Sequence, residues 1–213
     1  MTASPIDLAS LLCSRLCHDL LSPVGALSNG LELLAEEKDP EMRKRCFELL
    51  EQSAKASADK LKFFRLAFGA AGGFGDSVSV NEARSLVDAL VGANARVSVN
   101  WMFGVDALPK PAVKTLLNLA LIGLDALVRG GTLDIGAEMR DGTTEIVVRA
   151  AGQRIAFDPA IGQALEGTLP AGELASRTAP AAMIQQLAAS VGGGIQVHVT
   201  AESLVLGAVL PSA

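Results

Sequence analysis

Cys13, Leu20, Leu27 and Leu34 recur every seven residues, and Cys17, Val24 and Leu31 run parallel to them. A double apolar row of this period lies along one side of an α-helix and forms a seam that must meet other helices. The pattern predicts a helix from about Asp7 to Ala35. The segment EEKDP then makes a turn, with Asp39 as N-cap and Pro40 as first residue of a second helix. In that helix Met42, Cys46, Leu49, Leu50, Ala56, Leu61, Phe64 and Phe68 keep the helical period. Two long helices alone leave one side of their seam wet, so the hairpin is expected to pair with a second copy as a dimeric four-helix bundle.

His18 lies off this seam. At about 100° per residue its face carries Ser14, Arg15, Leu21, Ser22, Gly25 and Asn29, a small and polar surface with one leucine. A lone helical histidine is ordinarily a bland surface residue. Here Gly25 and Gly30 each cost the helix about 1 kcal/mol relative to alanine, which points to a need for close approach at this face. Cys13, Cys17 and Cys46 are an odd set without a second pair of metal ligands. The first two fall on the seam, where cysteine packs as a small hydrophobe.

The run GAAGGFGDS, residues 69–77, has no apolar period and reads as a linker. It divides the chain into a hairpin at 1–70, a linker at 71–77 and a second part at 78–213. In the second part, Ser79 with Glu82 is a capping-box signature before ARSLVDALVGA, RVSVNWMF alternates like a strand, and Pro111 opens the helix AVKTLLNLALIGLDALVRGG. TLDIGAE and TEIVVRA read as strands paired around MRDGT, a helix follows over Ala181 to Ser190, and GIQVHV with SLVLGAVL forms a terminal hairpin containing His198. This is an α+β sandwich with helices on one face of a mainly antiparallel sheet.

Half of the 213 residues are hydrophobic, enough for a real core. The net charge of −5 and the lack of a basic tract argue against direct nucleic-acid binding. No basic segment followed by a clean apolar run opens the chain, and no apolar stretch is long enough to span a membrane, so a cytoplasmic protein without membrane attachment is expected.

HDLLSPVGALSNGLELL resembles the H-box of two-component sensor kinases, where the phospho-accepting histidine is followed by an acidic residue and, at the fourth and fifth positions, by Ser or Thr and Pro. His18, Asp19, Ser22 and Pro23 fill those places. The second part resembles the ATP-binding domain of the same kinases, through VGGGIQVHV to LGAVLP. Its nucleotide boxes depart from the pattern. Of two asparagines four apart on the long helix, Asn118 is present and Ile122 stands where the magnesium-holding one belongs; an aliphatic side chain cannot ligate a hard cation. In AAGQRI, Ala150 replaces the adenine-reading aspartate and Arg154 the second glycine, and no glycine lies between Glu173 and Ser190 to wrap phosphates. An anion could still meet Arg177 or a helix N-terminus.

A kinase-like chain that keeps the histidine and loses the ATP site is similar to the ChpT-type histidine phosphotransferases of alphaproteobacteria. The resemblance implies a homodimer with a degenerate, pseudo-kinase ATP-binding domain. It implies relay of a phosphoryl group from the receiver domain of a hybrid histidine kinase such as CckA to response regulators such as CtrA and CpdR. His18 would be the phospho-acceptor, with Asp19 and Ser22 assisting and Ser14, Arg15, Leu21, Gly25 and Asn29 forming the receiver dock. No cofactor or ATP is expected on this chain, the receiver domain bringing Mg2+. Two alternatives stay open at this point: an atypical histidine kinase, and a non-catalytic pseudo-kinase scaffold that binds response regulators.

Overall fold

A computed structural model describes residues 4–69, 76–92 and 96–211. The linker expected at 71–77 lies outside the described residues except for Asp76 and Ser77. Helix α1 runs Pro5–Glu36 and α2 Pro40–Ala67, each opened by a capping side chain and a proline. Ser4 Oγ accepts from Asp7 N at 3.1 Å, and the Asp39 carboxylate accepts from Met42 N at 2.9 Å. Both satisfy amides that a helix start leaves without partners. At the turn, Arg43 donates to the carbonyls of Leu34 and Glu37, closing the end of α1. The two helices approach closely at Gly30, where a Cβ would sit 2.9 Å from Leu50 Cδ2. Gly30 therefore serves the packing of the hairpin, and of the two glycines only Gly25 belongs to the histidine face.

The second part opens with a short strand β1, Ser77–Ser79, whose last residue caps α3, Val80–Val91, by accepting from Asn81 N. Strand β2, Val97–Phe103, is followed by β3, Ala107–Pro109, which pairs with β1, and by the long helix α4, Lys110–Ala126. Then come β4, Gly131–Arg140; β5, Thr143–Ala151; α5, Pro159–Glu166; α6, Ala179–Ser190; β6, Gly194–Val199; and β7, Ser203–Pro211. The main sheet has the order β2-β4-β5-β7-β6, with β2 parallel to β4 and the remaining pairs antiparallel. Burial alternates along it: Thr144, Ile146, Val148 and Ala150 of β5 point into the core while Glu145, Val147 and Arg149 face outward. The result is an N-terminal helical hairpin followed by an α+β sandwich, as the sequence patterns predict.

Four elements differ from those patterns. Strands β1 and β3 are too short to show a period, and α5, opened by Asp158 and Pro159, lies in a stretch to which the patterns assign no helix. Helix α4, expected to reach the glycine pair, ends at Ala126. Gly130 and Gly131 adopt φ of +86° and +145°, and Gly131 N donates to Arg96 O at 2.9 Å, which sends the chain into β4 beside β2.

The core extends across the expected boundary. Phe63, Phe64, Leu66 and Ala67 of α2 are buried in the same cluster as Leu108, Leu116 and Leu117 from the second part. Phe63 and Phe64 meet edge to face at 5.7 Å, and Phe64 stacks on Phe68 at 5.1 Å. Asn118, fully buried in α4, donates through Nδ2 to Ala67 O at 3.1 Å and to Lys114 O at 2.8 Å. The last turn of α2 is thereby fixed to the sandwich by packing and by a hydrogen bond. Phe63→Ala should cost about 3–5 kcal/mol. In wild type, far-UV circular dichroism and the fluorescence of Trp101, the single tryptophan, should report one coincident denaturant transition; the variant should shift both midpoints downward.

Candidate functional site

His18 projects from α1 with 82% of its side chain exposed. Its Nδ1 lies 3.1 Å from Asp19 Oδ1. An ionised carboxylate only accepts, so the contact places the proton on Nδ1 and leaves the lone pair on Nε2. Neighbouring helix residues point about 100° apart, so this pairing needs Asp19 held to one side. Arg15, one turn earlier, holds it: its Nε donates to Asp19 Oδ2 at 2.7 Å, while its terminal nitrogen reaches Asp125 Oδ2 on α4 at 3.0 Å.

The side chains of Arg15 and Asp19 are only 17% and 16% exposed. Burial works against the guanidinium charge, but the hydrogen bond and charge of Asp19 together with those of Asp125 outweigh it and hold Arg15 above its ordinary pKa. Asp125 moves upward too, desolvation exceeding the pull of Arg15. In a balanced ion pair the carboxyl would be lowered. By geometry Asp19 is the stronger partner: its contact is shorter and both groups are shielded, whereas the Asp125 side chain remains 54% exposed and its ion pair is screened by solvent.

Around the histidine, Ser14, Leu21, Ser22 and Asn29 are exposed, and a Cβ added at Gly25 would meet nothing within 4 Å. These residues form the open face that the helical period predicts. Arg15, expected among the docking residues, is turned inward and engaged by two carboxylates. Cys13 and Cys17, expected to pack on the seam, are exposed in the single chain alongside Val24 and Leu31; only Cys46 is buried. His198 is an exposed residue of β6 opposite Val205.

Between α1 and the sandwich lies a cleft of about 200 Å³, lined by Arg15, Ile122, Asp125, Asp158, Ile161 and Arg177 among others. Arg177 is ion-paired with Asp158, whose other oxygen caps α5 by accepting from Ala160 N at 2.9 Å. The space is below the roughly 300 Å³ at which small-molecule sites begin. Its charges are paired with each other, Ile122 offers a cation no oxygen, and Ala150 is sealed inside the sheet. Among the described residues, no group of three or more His, Cys, Asp or Glu could hold a metal ion.

The family model for the histidine phosphotransferase C-terminal domain matches residues 80–203. The chain belongs to the histidine phosphotransferase family. This family member is 36% identical over 208 residues to the protein phosphotransferase ChpT of Brucella abortus (strain 2308), covering 98% of each chain. A solved structure described as a bacterial phosphotransferase matches it with a TM-score of 0.84 at 34% identity, again over 98% of each chain. The histidine kinase domain of the blue-light activated kinase EL346 from Erythrobacter litoralis, 12% identical, covers 88% of this chain and 95% of its own with a TM-score of 0.50, a likeness of fold.

Asp125 and Asp158 escaped the sequence reading of this phosphotransferase. Asp125 left one sign, a carboxylate in the last turn of α4, where the helix dipole disfavours negative charge unless a cation compensates. Asp158 left another, as an Asp-Pro cap and first helical residue. The two glycines of α1 give a paired expectation. Gly25→Ala should raise stability by up to about 1 kcal/mol, since its position opens on solvent. Gly30→Ala should lower stability because of Leu50. Thermal and denaturant unfolding of both variants check the signs.

Proposed function

We propose that the chain relays a phosphoryl group between aspartates of receiver domains through His18. The observation that carries this reading is an exposed imidazole whose Nδ1 is tied to Asp19, so that Nε2 has a lone pair open to a partner. In the first step Nε2 attacks the phosphorus of a receiver's aspartyl phosphate in line. The bond from phosphorus to the aspartyl oxygen breaks, the carboxylate leaves, and a phosphohistidine remains. Positive charge then develops on the ring, and the Asp19 carboxylate, clamped by Arg15, stabilises it through the Nδ1 proton. A second receiver's aspartate reverses the sequence. Transfer of this kind depends mainly on positioning and charge stabilisation, and the receiver domain supplies Mg2+. Ser22, one turn along, can donate to the incoming carboxylate.

The donor is a hybrid-kinase receiver of the CckA kind and the acceptors are regulators of the CtrA and CpdR kind, a reading supported by the family and by 36% identity to a ChpT. The cleft with its paired charges supports relay without ATP or a cofactor of this chain's own. No helix among the described residues is long and apolar enough to cross a membrane, and we place the protein in the cytoplasm with its regulators. The active form is a homodimer. At 100° per residue, Cys17, Val24 and Leu31 of α1 share a side of the hairpin with Phe47, Ala54 and Leu61 of α2, away from the sandwich. That exposed apolar stripe is what a second copy would cover in a four-helix bundle. The sandwich then serves to hold the regulator beside His18.

Pure protein incubated with labelled ATP, and separately with a phosphorylated receiver, tests the relay: label should arrive from the receiver alone. Label from ATP would make the chain a kinase, and none from either a scaffold. His18→Gln should abolish uptake with unchanged circular dichroism, because the ring is outside the core. Leu31→Glu should give a folded monomer by light scattering, the cost falling on the dimer contact and not on the single chain.

A further inference from the structure

Pro23 lies inside α1, five residues beyond His18. Proline has no amide hydrogen, so the carbonyl four residues earlier, that of Asp19, loses its helical donor. Lys60 of α2 replaces that donor: its Nζ donates to Asp19 O at 2.7 Å. The side chains of Asp19 and Asp125 are near enough for their charges to be felt in this cluster, with Arg15 as the other cation. The ammonium nonetheless makes its hydrogen bond to the backbone oxygen. Asp19 is therefore gripped twice, at its side chain by Arg15 and at its backbone by Lys60.

We infer that Lys60 is a positioning residue for transfer at His18, an inference that rests on the relay reading. Where the ladder loses this one bond, α1 itself offers the Asp19 carbonyl no donor. Lys60 supplies one from the neighbouring helix, in a segment where hairpin packing holds its own stem half-buried. The chain of effects runs from the missing amide of Pro23 to the Asp19 carbonyl, then to the direction of the Asp19 carboxylate, and so to the orientation of the imidazole. Misplacement by a fraction of an ångström is costly in a reaction that depends on alignment.

The test is single-turnover transfer from a saturating phosphorylated receiver to wild type, Lys60→Met, Pro23→Ala and the double variant. Lys60→Met should slow transfer by about tenfold while the receiver concentration at half-maximal rate stays within about twofold. Lys60→Arg, which keeps a donor, should retain most of the rate. In the Pro23→Ala background the amide restored at that position can meet the Asp19 carbonyl itself, so the same Lys60→Met change should cost less than about twofold. Full-rate transfer by Lys60→Met, or equal losses in both backgrounds, would overturn the inference. If Lys60→Met fails to fold, the double variant must regain fold and transfer together, and a double variant no better than the single would overturn it equally. Wild type that takes no label on His18 would instead strike at the relay reading.

Discussion

Burial of the last turn of α2 in the sandwich core is the constraint on which the rest of the molecule depends. Phe63, Phe64, Leu66 and Ala67 are completely or nearly completely removed from solvent by the second part of the chain. With four residues of α2 in the shared core, and with Asn118 donating to the Ala67 carbonyl, α2 is fixed. The close contact at Gly30 then fixes α1 against α2, and the position of His18 relative to α4 follows.

Arg15 turns that placement into electrostatics. Its guanidinium spans from Asp19 on its own helix to Asp125 at the end of α4, so the residue that orients the imidazole is itself referenced to the sandwich. A planar donor fork suits this bridge, because two carboxylates can be met at once from different directions. A lysine in its place would offer a point charge to one or the other.

The cleft between hairpin and sandwich is lined by polar groups that pair with one another. Asn118, the one asparagine of the pair that remains, is turned into the core and ties two elements together, with its Oδ1 left without a hydrogen-bond partner. Arg177 and Asp158 are ion-paired in the cleft, and Arg15 closes the side toward α1. Asn118 and Arg15 join hairpin to sandwich, while Arg177 and Asp158 fasten the segment before α6 to the start of α5 within the sandwich. Such polar fastenings carry the modest net value of hydrogen bonds and half-exposed ion pairs.

The long helices, the caps at Asp39 and Ser79, the β4–β5 and β6–β7 hairpins, the outward direction of His18 and its resemblance to a phospho-accepting histidine were legible in the amino-acid sequence, because each is a matter of neighbours within a few residues. Period, Asp-Pro starts and Gly-marked turns are local signals, and the chain obeys them from Ser4 to the terminal hairpin. The inward turn of Arg15, the role of Gly30, the grip of Lys60 and the partnership with Asp125 were not legible. They join residues 41 and 110 positions apart, as in Lys60 with Asp19 and Arg15 with Asp125. A helical wheel shows which way a side chain leaves its own helix. What it meets there is decided only once hydrophobic burial has brought distant segments together.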